Sequence, residues 1–515
     1  PKAQLSALAG GFYTTPFFEQ LHALRDVDHD SVDKTERDCR GLVVAKTDAG
    51  NYTREPQRNA FGEVEVELFP VDNLQTLKVT HEYDLRGLEV KAVRDPEGLA
   101  LTETREYQNA QRQVTKRIDA KGGVHRYDYD RLAQEICYTN PLEATRKRTR
   151  DAFGRALTDM DALEATIQHQ YNHVDRTHTI TSPLGSKEIV QTNVFGQTIL
   201  HVDAIGQKTA MAYDAGGSVL TTVDALGNRT VSTYDLMGGR LSYVDALGLK
   251  TLYQYDAAGF MVIQLEDPNG LQLTTRYLRD SQEREVGQIN PSGVLVYFDL
   301  NRCGQKLRKV VNQKDAVHPK GLHLQTLYQY NAQQKQTYRM RGDAAQPDQR
   351  EEMTTYDTLG RLTRLTLEPQ SAAYPDRLNI IVVDKIYDAL DRCVMETNGN
   401  GGKSGCVFDA AGNKRFVIDA AGGVVERRFD ANGQRIQKIK YAITVNNTIL
   451  FGTPTPDAVA ALLISSSSDE TYHYVYDADG HERFVIKAPG SVTEYRYDFC
   501  GRPIETIHYA TRIDC

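Results

Sequence analysis

The sequence has no long apolar segment. No stretch approaches the roughly 18 consecutive apolar residues that a membrane-spanning helix needs. The first thirty residues also lack the charged start and apolar stretch of a secretory signal. The chain begins at Pro1, which leaves open that a signal stands earlier in a longer protein. We therefore expect no transmembrane segment within these 515 residues.

Cysteine, basic charge and glycine are too scarce for several other protein classes. The seven cysteines are an odd number, widely scattered and without a C-x-x-C pair, so neither a disulfide framework nor a zinc site is indicated. Lys and Arg total 61 against 69 Asp and Glu, and the net charge of −8 disfavours nucleic-acid binding. The 39 Gly and 17 Pro are an ordinary share, which excludes collagen and Gly/Pro low complexity.

The composition that remains can bury a core. Hydrophobic residues make up 40% of the chain and charged residues 25%, which is typical of a folded protein rather than a disordered one. Length alone suggests about three domains of roughly 150 residues. The regular spacing of the glycines instead indicates one continuous array of repeats in place of three domains.

A short motif recurs between Asn193 and Gly270: Asp or Asn, followed three residues later by Gly. Its steps are 10 or 11 residues, so two motifs make one unit of about 21. The two interleaved lattices extend backwards at the same spacing, to Asp130 and Asp119. The motif positions in the regular region are Asn193, Asp203, Asp214, Asp224, Asp235, Asp245, Asp256 and Asp267.

Each motif predicts a hairpin turn. Asp or Asn can accept hydrogen bonds from the N–H groups of the turn, and Gly supplies the residue with positive φ in a three-residue loop with a bulge. The six or seven residues between turns are then strands. Apolar columns such as Leu220, Leu241 and Val262 indicate strands that are half-buried and antiparallel.

The same signature, often preceded by Tyr or Phe, returns in the second half of the chain with more irregular spacing. The Tyr, Asp and Gly positions that we assign to turns are Tyr213, Asp214, Gly217, Asp224, Gly227, Tyr234, Asp235, Gly238, Asp245, Gly248, Tyr255, Asp256, Gly259, Asp267, Gly270, Tyr356, Asp357, Gly360, Tyr476, Asp477, Gly480, Tyr497, Asp498 and Gly501.

Some turns depart from the motif. The turns that begin at Tyr171 and Tyr387 lack the Gly, and we predict that Asp175 and Asp391 take the left-handed position there at some energetic cost. The sequences DPEG and DPNG, which begin at Asp95 and Asp267, lie on the lattice and predict ordinary turns.

Interruptions of the lattice suggest six segments. These are a lead-in with weaker repeats (1–60), a regular array (61–304), a degenerate or inserted region (305–355), a second array (356–442), an insert (443–470) and continuing repeats (471–515). The insert predicts a short helix that begins at Pro456 and is followed by a Ser-rich loop, and TPFFEQLHALRDV at 15–27 predicts another. IQKIKYAIT before the insert resembles IETIHYATR near the C-terminus, so we expect a further insert beyond Cys515.

The unit YDLMGGRLSYVDALGLKTLYQYDAAG, residues 234–259, resembles the pattern of the YD-repeat or Rhs-repeat family. The resemblance covers about residues 80–515. That family includes bacterial Rhs effectors, the B and C components of Tc toxins, wall-associated proteins and teneurins. The resemblance implies an all-β fold of consecutive antiparallel hairpins that spiral into a hollow shell, or β-cocoon. The self-cleaving plug and the toxin domain that end many such shells have no counterpart in this sequence.

Local motifs offer weaker alternatives. GNGGKS at 399–404 resembles a phosphate-binding loop but lacks its first Gly, and a repeat turn at Asn398 and Gly401 explains it better. His169, His173 and Asp175 lie on one strand face and could hold a metal, although exposed polar residues beside a turn are the more ordinary interpretation. The adhesion tripeptide Arg341-Gly342-Asp343 is most simply a chance match. The Asp-rich turns offer one carboxylate each, too few for calcium.

We expect a structural protein rather than an enzyme, with no cofactor and no metal. The first hypothesis is a shell segment of a large bacterial secreted or cell-surface protein, associated with a toxin, that encapsulates a polypeptide. Its partners would be the remaining portions of a longer shell, an enclosed toxin polypeptide and a cell-surface receptor, but not nucleic acid. The alternative is an adhesion module that binds carbohydrate or protein through the outer face and the inserts.

Overall fold

In the computed structural model the chain is an all-β protein. The structure describes residues 30–72, 75–107, 111–311, 324–342, 350–368, 380–452, 454–498 and 501–513. Within these residues 40 strands form one antiparallel sheet, which confirms the all-β fold of consecutive hairpins. The helix predicted at 15–27 and the Asp343 of the adhesion tripeptide lie outside the described residues.

The strands are short and evenly spaced. The first twenty are β1 Lys34–Arg37, β2 Val43–Thr47, β3 Thr53–Arg58, β4 Val64–Pro70, β5 Thr76–Tyr83, β6 Glu89–Arg94, β7 Leu101–Glu106, β8 Lys116–Ile118, β9 Val124–Tyr129, β10 Glu135–Thr139, β11 Thr145–Arg150, β12 Ala156–Met160, β13 Thr166–Asn172, β14 Thr177–Thr181, β15 Lys187–Thr192, β16 Thr198–Val202, β17 Lys208–Tyr213, β18 Val219–Val223, β19 Arg229–Tyr234 and β20 Arg240–Val244. The other twenty are β21 Lys250–Tyr255, β22 Met261–Glu266, β23 Leu273–Arg279, β24 Glu285–Ile289, β25 Leu295–Leu300, β26 Lys306–Val311, β27 Leu324–Tyr330, β28 Gln336–Arg341, β29 Arg350–Tyr356, β30 Leu362–Leu367, β31 Ile380–Tyr387, β32 Cys393–Asn398, β33 Lys403–Phe408, β34 Lys414–Ile418, β35 Val424–Phe429, β36 Arg435–Lys440, β37 Glu470–Tyr476, β38 Glu482–Lys487, β39 Ser491–Tyr497 and β40 Pro503–His508.

Every strand pairs with the next one along the chain, so the sheet is a continuous meander. The meander continues through 305–355, where β26 to β29 keep the antiparallel register. Loops that follow odd-numbered strands lie on one edge of this ribbon, the odd edge, and loops that follow even-numbered strands lie on the other, the even edge.

The loop after β17 shows how the turn motif is used. The backbone N–H of Asp214 donates to the carbonyl of Ser218 at 3.0 Å, and the N–H of Gly217 donates to the carbonyl of Asp214 at 3.2 Å. The Asp214 carboxylate accepts from the Ser218 N–H at 2.8 Å. Gly217 has φ +91°, and the ladder shifts register just before the loop, as in a bulged hairpin.

Two predictions about individual turns are wrong. Gly270 does not take a positive φ, because the loop between β22 and β23 has one residue more than its neighbours, and Asp267 and Gln272 take positive φ instead. The DPEG loop repeats this arrangement, so neither DP loop is an ordinary turn. Asp175 is also not left-handed: Asn172 pairs with Thr177, and the shortened loop transfers the positive φ to Arg176. Asp391 has φ +63°, as predicted.

Substituting a turn glycine should destabilise its hairpin through the backbone alone. Gly227 has φ +84° and no atom within 4 Å of the place where a Cβ would stand. We expect Gly227→Ala to lower the free energy of opening of the β18–β19 hairpin by about 1 kcal/mol. Hydrogen exchange of the hairpin amides measures it. Gly216→Ala is the control, since Gly216 has ordinary φ and room for a methyl group at 3.4 Å; equal losses from both would contradict the expectation.

The tyrosines before the odd-edge loops join neighbouring hairpins. The hydroxyl of Tyr213 donates to the carbonyl of Thr198 at 2.8 Å, and that of Tyr234 donates to Val219 at 3.0 Å. Each acceptor is the first residue of the preceding strand. The same bond recurs along the edge from Tyr83, Tyr255, Tyr330, Tyr356, Tyr387, Tyr476 and Tyr497. These bonds fix hairpin to hairpin in addition to the strand ladder.

In the described part of the chain, one segment leaves the sheet. Between β36 and β37 the chain forms a 3₁₀ helix, Asn447–Gly452, and a helix α1, Pro456–Ala460, which begins at Pro456 as predicted. Thr455 caps α1 by accepting from the Ala458 N–H at 3.2 Å. The 3₁₀ helix lies against β33, and α1 lies against β34.

The hydrophobic core lies where this segment covers the sheet. It consists of buried residues from β32 to β35 and from the segment itself: Met395, Val407, Phe416, Ile418, Val424, Leu450 and Val459. Elsewhere much of both faces is open to solvent. The accessible surface is 31716 Å², whereas a compact protein of 57.8 kDa exposes about 19,000 Å². The molecule is therefore a single-layer sheet rather than a two-layer sandwich.

Candidate functional site: the seam of the wound sheet

The even edge of the first part of the ribbon contacts the odd edge of a later part. Among the described residues five pairs of loops meet, and the two loops of each pair are 23 strands apart. The loops after β2, β6, β8, β12 and β14 meet the loops after β25, β29, β31, β35 and β37, respectively. We call this line of contact the seam. Its constant spacing means that the ribbon winds as a regular spiral.

The spacing also sets the size of the spiral. Adjacent strands lie about 4.8 Å apart, so 23 strands make a circuit of about 110 Å, or about 35 Å across if circular. Side chains occupy about 5 Å on the inner face, which leaves a width of about 25 Å. Among the described residues, the segment between β36 and β37 is the stretch that leaves the sheet and packs on a face.

Amide and carboxylate groups at the loop tips hold the seam. Asn432 accepts from the backbone N–H of Ala162 at 2.9 Å and donates to the Asp161 carboxylate at 2.8 Å. The Thr358 hydroxyl donates to Asp95 at 3.2 Å. Both contacts join residues more than 260 positions apart in sequence.

Asp388 is the most buried charge at the seam. Its side chain is 2% exposed and accepts from Lys121 across the seam at 3.3 Å. Within its own turn it accepts from the N–H groups of Leu390 and Arg392 and pairs with the Arg392 guanidinium at 2.7 Å. Burial alone would raise the pKa of Asp388, but these hydrogen bonds and the Arg392 charge outweigh it and lower the pKa.

Arginines after the odd-edge turns extend this pattern along the edge. The Arg155 guanidinium pairs with Asp151 and lies 4.1 Å from the centre of the Tyr171 ring in the next hairpin. In the same way, the Arg361 guanidinium pairs with Asp357 and lies over the Tyr387 ring. Such stacking on an aromatic ring stabilises a charge that stays partly hydrated. The sequence pattern showed the Arg and the Tyr but not that they meet in neighbouring hairpins.

The structure does not bring the predicted metal candidates together. His169 lies against His178 and Asp159, with ring nitrogens 3.1 Å from each. His173 instead lies beside the Arg155 guanidinium, and Asp175 accepts from the Asn172 amide. In the described ranges, no group of three or more His, Cys, Asp or Glu side chains is placed to hold a metal ion.

The His169–His178 pair should make this part of the sheet sensitive to acid. Burial lowers the pKa of His178, and the nearby His169 and Arg155 lower it further. The pKa of His in the unfolded chain is about 6.5. The contribution of neutral His178 to the folding free energy is therefore complete above that pH, and it is lost as pH falls through the lower pKa of the folded state. NMR titration of the folded protein should show the shift.

His178→Phe is the matched control, because it keeps the stack on Tyr171, whose ring lies 4.4 Å away, and removes the titration. A folded His178 that titrated at or above its unfolded pKa would contradict the expectation.

The GNGGKS segment is a repeat turn. Gly401 has φ +77°, and the Asn398 side chain accepts from the N–H groups of Asn400 and Gly402. Lys403 and Ser404 belong to β33 and pair with Thr397 and Glu396, so they do not cradle a phosphate.

The cysteines at 39, 137, 303, 393 and 406 are free. No helix in the described part of the chain has the length and apolar character to cross a membrane.

Comparison with known proteins identifies the fold. No family model matches the sequence, and no curated protein matches it. Among solved structures, the crystal structure of TcdB2-TccC3 without its hypervariable C-terminal region matches 94% of this chain at 13% identity and a TM-score of 0.53. The chain has the fold of the matched part of TcdB2-TccC3. It spans 27% of the length of that chain.

Two further structures of the same toxin system also match. TcdB2-TccC3-TEV aligns with 91% of this chain and 30% of its own at 14% identity, with a TM-score of 0.46. A Photorhabdus luminescens Tc holotoxin pore aligns with 93% of this chain and 30% of its own at 13% identity, with a TM-score of 0.43. The similarity to TcdB2-TccC3 concerns the fold, and it agrees with the fold implied by the resemblance to YD-repeat proteins.

Proposed function

We propose that the chain is a YD-repeat, or Rhs-repeat, shell segment of a large bacterial protein that is secreted or held at the cell surface, is associated with a toxin, and encloses a polypeptide. The seam carries the proposal: a ribbon that returns to itself every 23 strands surrounds a space. The fold shared with TcdB2-TccC3, a Tc toxin pair, supports the toxin association.

The width of the spiral favours an unfolded cargo. A folded domain of about 100 residues has a radius of gyration of about 13 Å and so a diameter of about 35 Å. That exceeds the width of about 25 Å left inside a circular spiral of this circumference. An extended chain would fit and would be screened from other proteins.

The open edges supply the sites for the remaining portions of the shell. On the even edge, Leu163 and Leu184 are 52% and 58% exposed where the seam covers their loops. Leu226 and Leu247, at the same position of later loops, are 87% and 94% exposed. Another turn of YD-type hairpins seated on the loops after β18 and β20 would continue the seam and cover these leucines.

Electron micrographs test the enclosure. We expect particles with a stain-filled centre, and a polypeptide co-produced with the chain should resist an added protease until the shell is opened by denaturant. A solid rod or separate globules would contradict the shell. A hollow particle whose co-produced polypeptide is digested at once would keep the shell and refute the cargo.

An adhesion module is the second candidate, and exposed apolar loop tips favour it. The odd-edge loops after β9, β11, β13, β15 and β19 carry an apolar side chain at the same position, and each is more than half exposed: Leu132, Phe153, Val174, Phe195 and Met237. Replacing Phe153 and Phe195 with Ser should abolish binding to cells or to glycans if this edge is adhesive. Encapsulation should survive the same change, since neither residue is buried.

The proposed role involves no catalysis, cofactor or nucleic acid. The turn carboxylates are engaged in capping backbone N–H groups, as at Asp235, which accepts from Met237 and Gly239. The net charge of −8 agrees with this. If the purified chain hydrolysed a substrate, and if changing His169 or His178 to Ala abolished that activity, the purely structural role would be refuted.

A further inference from the structure

Residues 405–445 and 473–513 are two copies of one structural unit, 68 positions apart. RFVI occurs in both, at 415–418 and at 483–486. The strand registers agree as well: Val407 pairs with Phe416 as Val475 pairs with Phe484, and Ile418 pairs with Val424 as Ile486 pairs with Val492. The similarity between the two segments in sequence therefore reflects the same local structure.

Both copies hold a buried glutamate in the same cage. Glu426 accepts from Arg415 at 2.8 Å, from Arg428 at 3.0 Å and from the Tyr441 hydroxyl at 2.7 Å. Burial and the bond to Glu426 raise the pKa of Tyr441 to about 12.

The second copy repeats these contacts one for one. Glu494 accepts from Arg483 at 3.0 Å, from Arg496 at 3.0 Å and from the Tyr509 hydroxyl at 2.6 Å. Both glutamates are 3% exposed. The cage therefore fixes the path of the chain after the last strand in the same way in both copies.

The chain leaves both copies along the same path. The Val445 N–H donates to the carbonyl of Gly422 at 2.9 Å, and the Ile513 N–H donates to the carbonyl of Gly490 at 3.0 Å. Both glycines have positive φ and lie against the backbone of the exiting chain, so a Cβ would collide with it. After Val445 the chain turns over the sheet face and forms the 3₁₀ helix and α1. The bond at Ile513 places this residue at the equivalent point beside the second face.

The two faces differ in what covers them. In the first copy Val407, Phe416, Ile418 and Val424 are 3%, 0%, 0% and 1% exposed beneath Leu450 and Val459. In the second copy Val475 is 45% exposed, and Phe484, Ile486 and Val492 are partly exposed. We call these four residues of the second copy the open site.

We propose that the open site binds a segment with the chemistry of residues 446–463, an apolar 3₁₀ turn followed by a Pro-initiated helix, which enters from Ile513. The four residues of the open site are apolar, match Val407, Phe416, Ile418 and Val424 of the occupied site, and lie beside the path of the chain at Ile513. The site departs from the first copy at two adjacent positions of one rim. His473 stands in place of Gly405, against which Leu450 packs, and Gln437 stands in place of the core residue Met395. The bound segment therefore carries a small residue where the first segment has Leu450.

The absence of tryptophan from the chain makes the test direct. A copy of residues 446–463, with I449W in the added copy alone, is placed after Ile513 of the otherwise unchanged chain. We expect blue-shifted tryptophan emission and protection from acrylamide, because Ile449 packs on the core in the first copy. Placing L450A in the added copy should strengthen both effects, since His473 occupies the space above β37.

V475D should return the emission to that of exposed tryptophan. I436D is the matched control, because Ile436 is 40% exposed and lies on the opposite face of the neighbouring strand; it should leave the emission shifted. V475S provides a milder version should Asp disturb the sheet. Emission unchanged from the free peptide, or a blue shift that survives both Val475 substitutions, would overturn the proposal.

Discussion

Phe416→Ala should release the segment between β36 and β37 from the sheet. Phe416 is fully buried between Glu426 and Val407 on the sheet and beneath the segment that carries Val459. Removing a buried aromatic ring costs about 3–5 kcal/mol. The meander need not unfold as one unit, because repeat arrays open locally. Hydrogen exchange of β33 to β35 should accelerate about a hundredfold to four-thousandfold, at about 1.4 kcal/mol per factor of ten.

Phe484→Ala is the matched control. Phe484 occupies the same register position in the second copy, on the same face, but nothing in the described residues covers it to the extent that Phe416 is covered. We expect a loss of roughly 1–2 kcal/mol, the value of a partly buried side chain. Equal losses at the two positions would mean that the segment between β36 and β37 contributes little to the core.

Asp388→Ala should weaken both a turn and the seam. The change removes two backbone hydrogen bonds, the pair with Arg392 and the contact with Lys121 across the seam. Because the carboxylate is buried, the turn N–H groups and the largely buried Arg392 left behind are poorly solvated, and we expect a loss of about 2–4 kcal/mol. Hydrogen exchange of β31–β32 and of β8–β9 should accelerate together, since the seam joins them.

The same residue predicts an acid limit for the seam. The folded pKa of Asp388 is lowered, so its contribution is full above the unfolded value of about 3.9 and is lost as pH falls through the lower folded pKa. Asp388→Ala should remove this part of the acid dependence.

Asp214→Ala is the control for the seam. Asp214 caps its loop through Ser218 on an open edge, and we expect only about 0.5–1 kcal/mol, confined to β17–β18. Should Asp388→Ala affect β31–β32 alone, the contact with Lys121 would not hold the seam.

The turn lattice could be predicted because a turn is a local structure. Asp or Asn at the first position and Gly at the fourth satisfy the backbone of a bulged hairpin without help from distant residues. The predictions that failed, at Gly270 and Asp175, depended on loop length, which differs there by one residue and is set by strand pairing. A motif shows which residues can form a turn, but it does not show how many residues remain unpaired between the two strands.

The seam could not be predicted, because it depends on the summed curvature of 23 strands. Twist between adjacent strands varies by tens of degrees, and no single residue reports the sum. In the sequence Asn432 has the position of an ordinary turn residue, and only the structure shows that it contacts Ala162. The cage around Glu426 could be predicted in part. The similarity between the segments that end at Thr444 and Arg512 indicated the second copy, but it did not show which side chains contact each other.

A constant winding of 23 strands also bears on how such a chain can change in evolution. Gain or loss of one hairpin would slide every later loop by one place along the seam, so that Asn432 would face a different loop from the one at Ala162. The small side chains shared by many tips, Ala120, Ala162, Ala389, Ala410 and Ala431, make neighbouring places nearly equivalent. Whole units of 21 residues could then be duplicated or deleted while the winding persists, whereas a change of half a unit would put the following loops on the wrong edge.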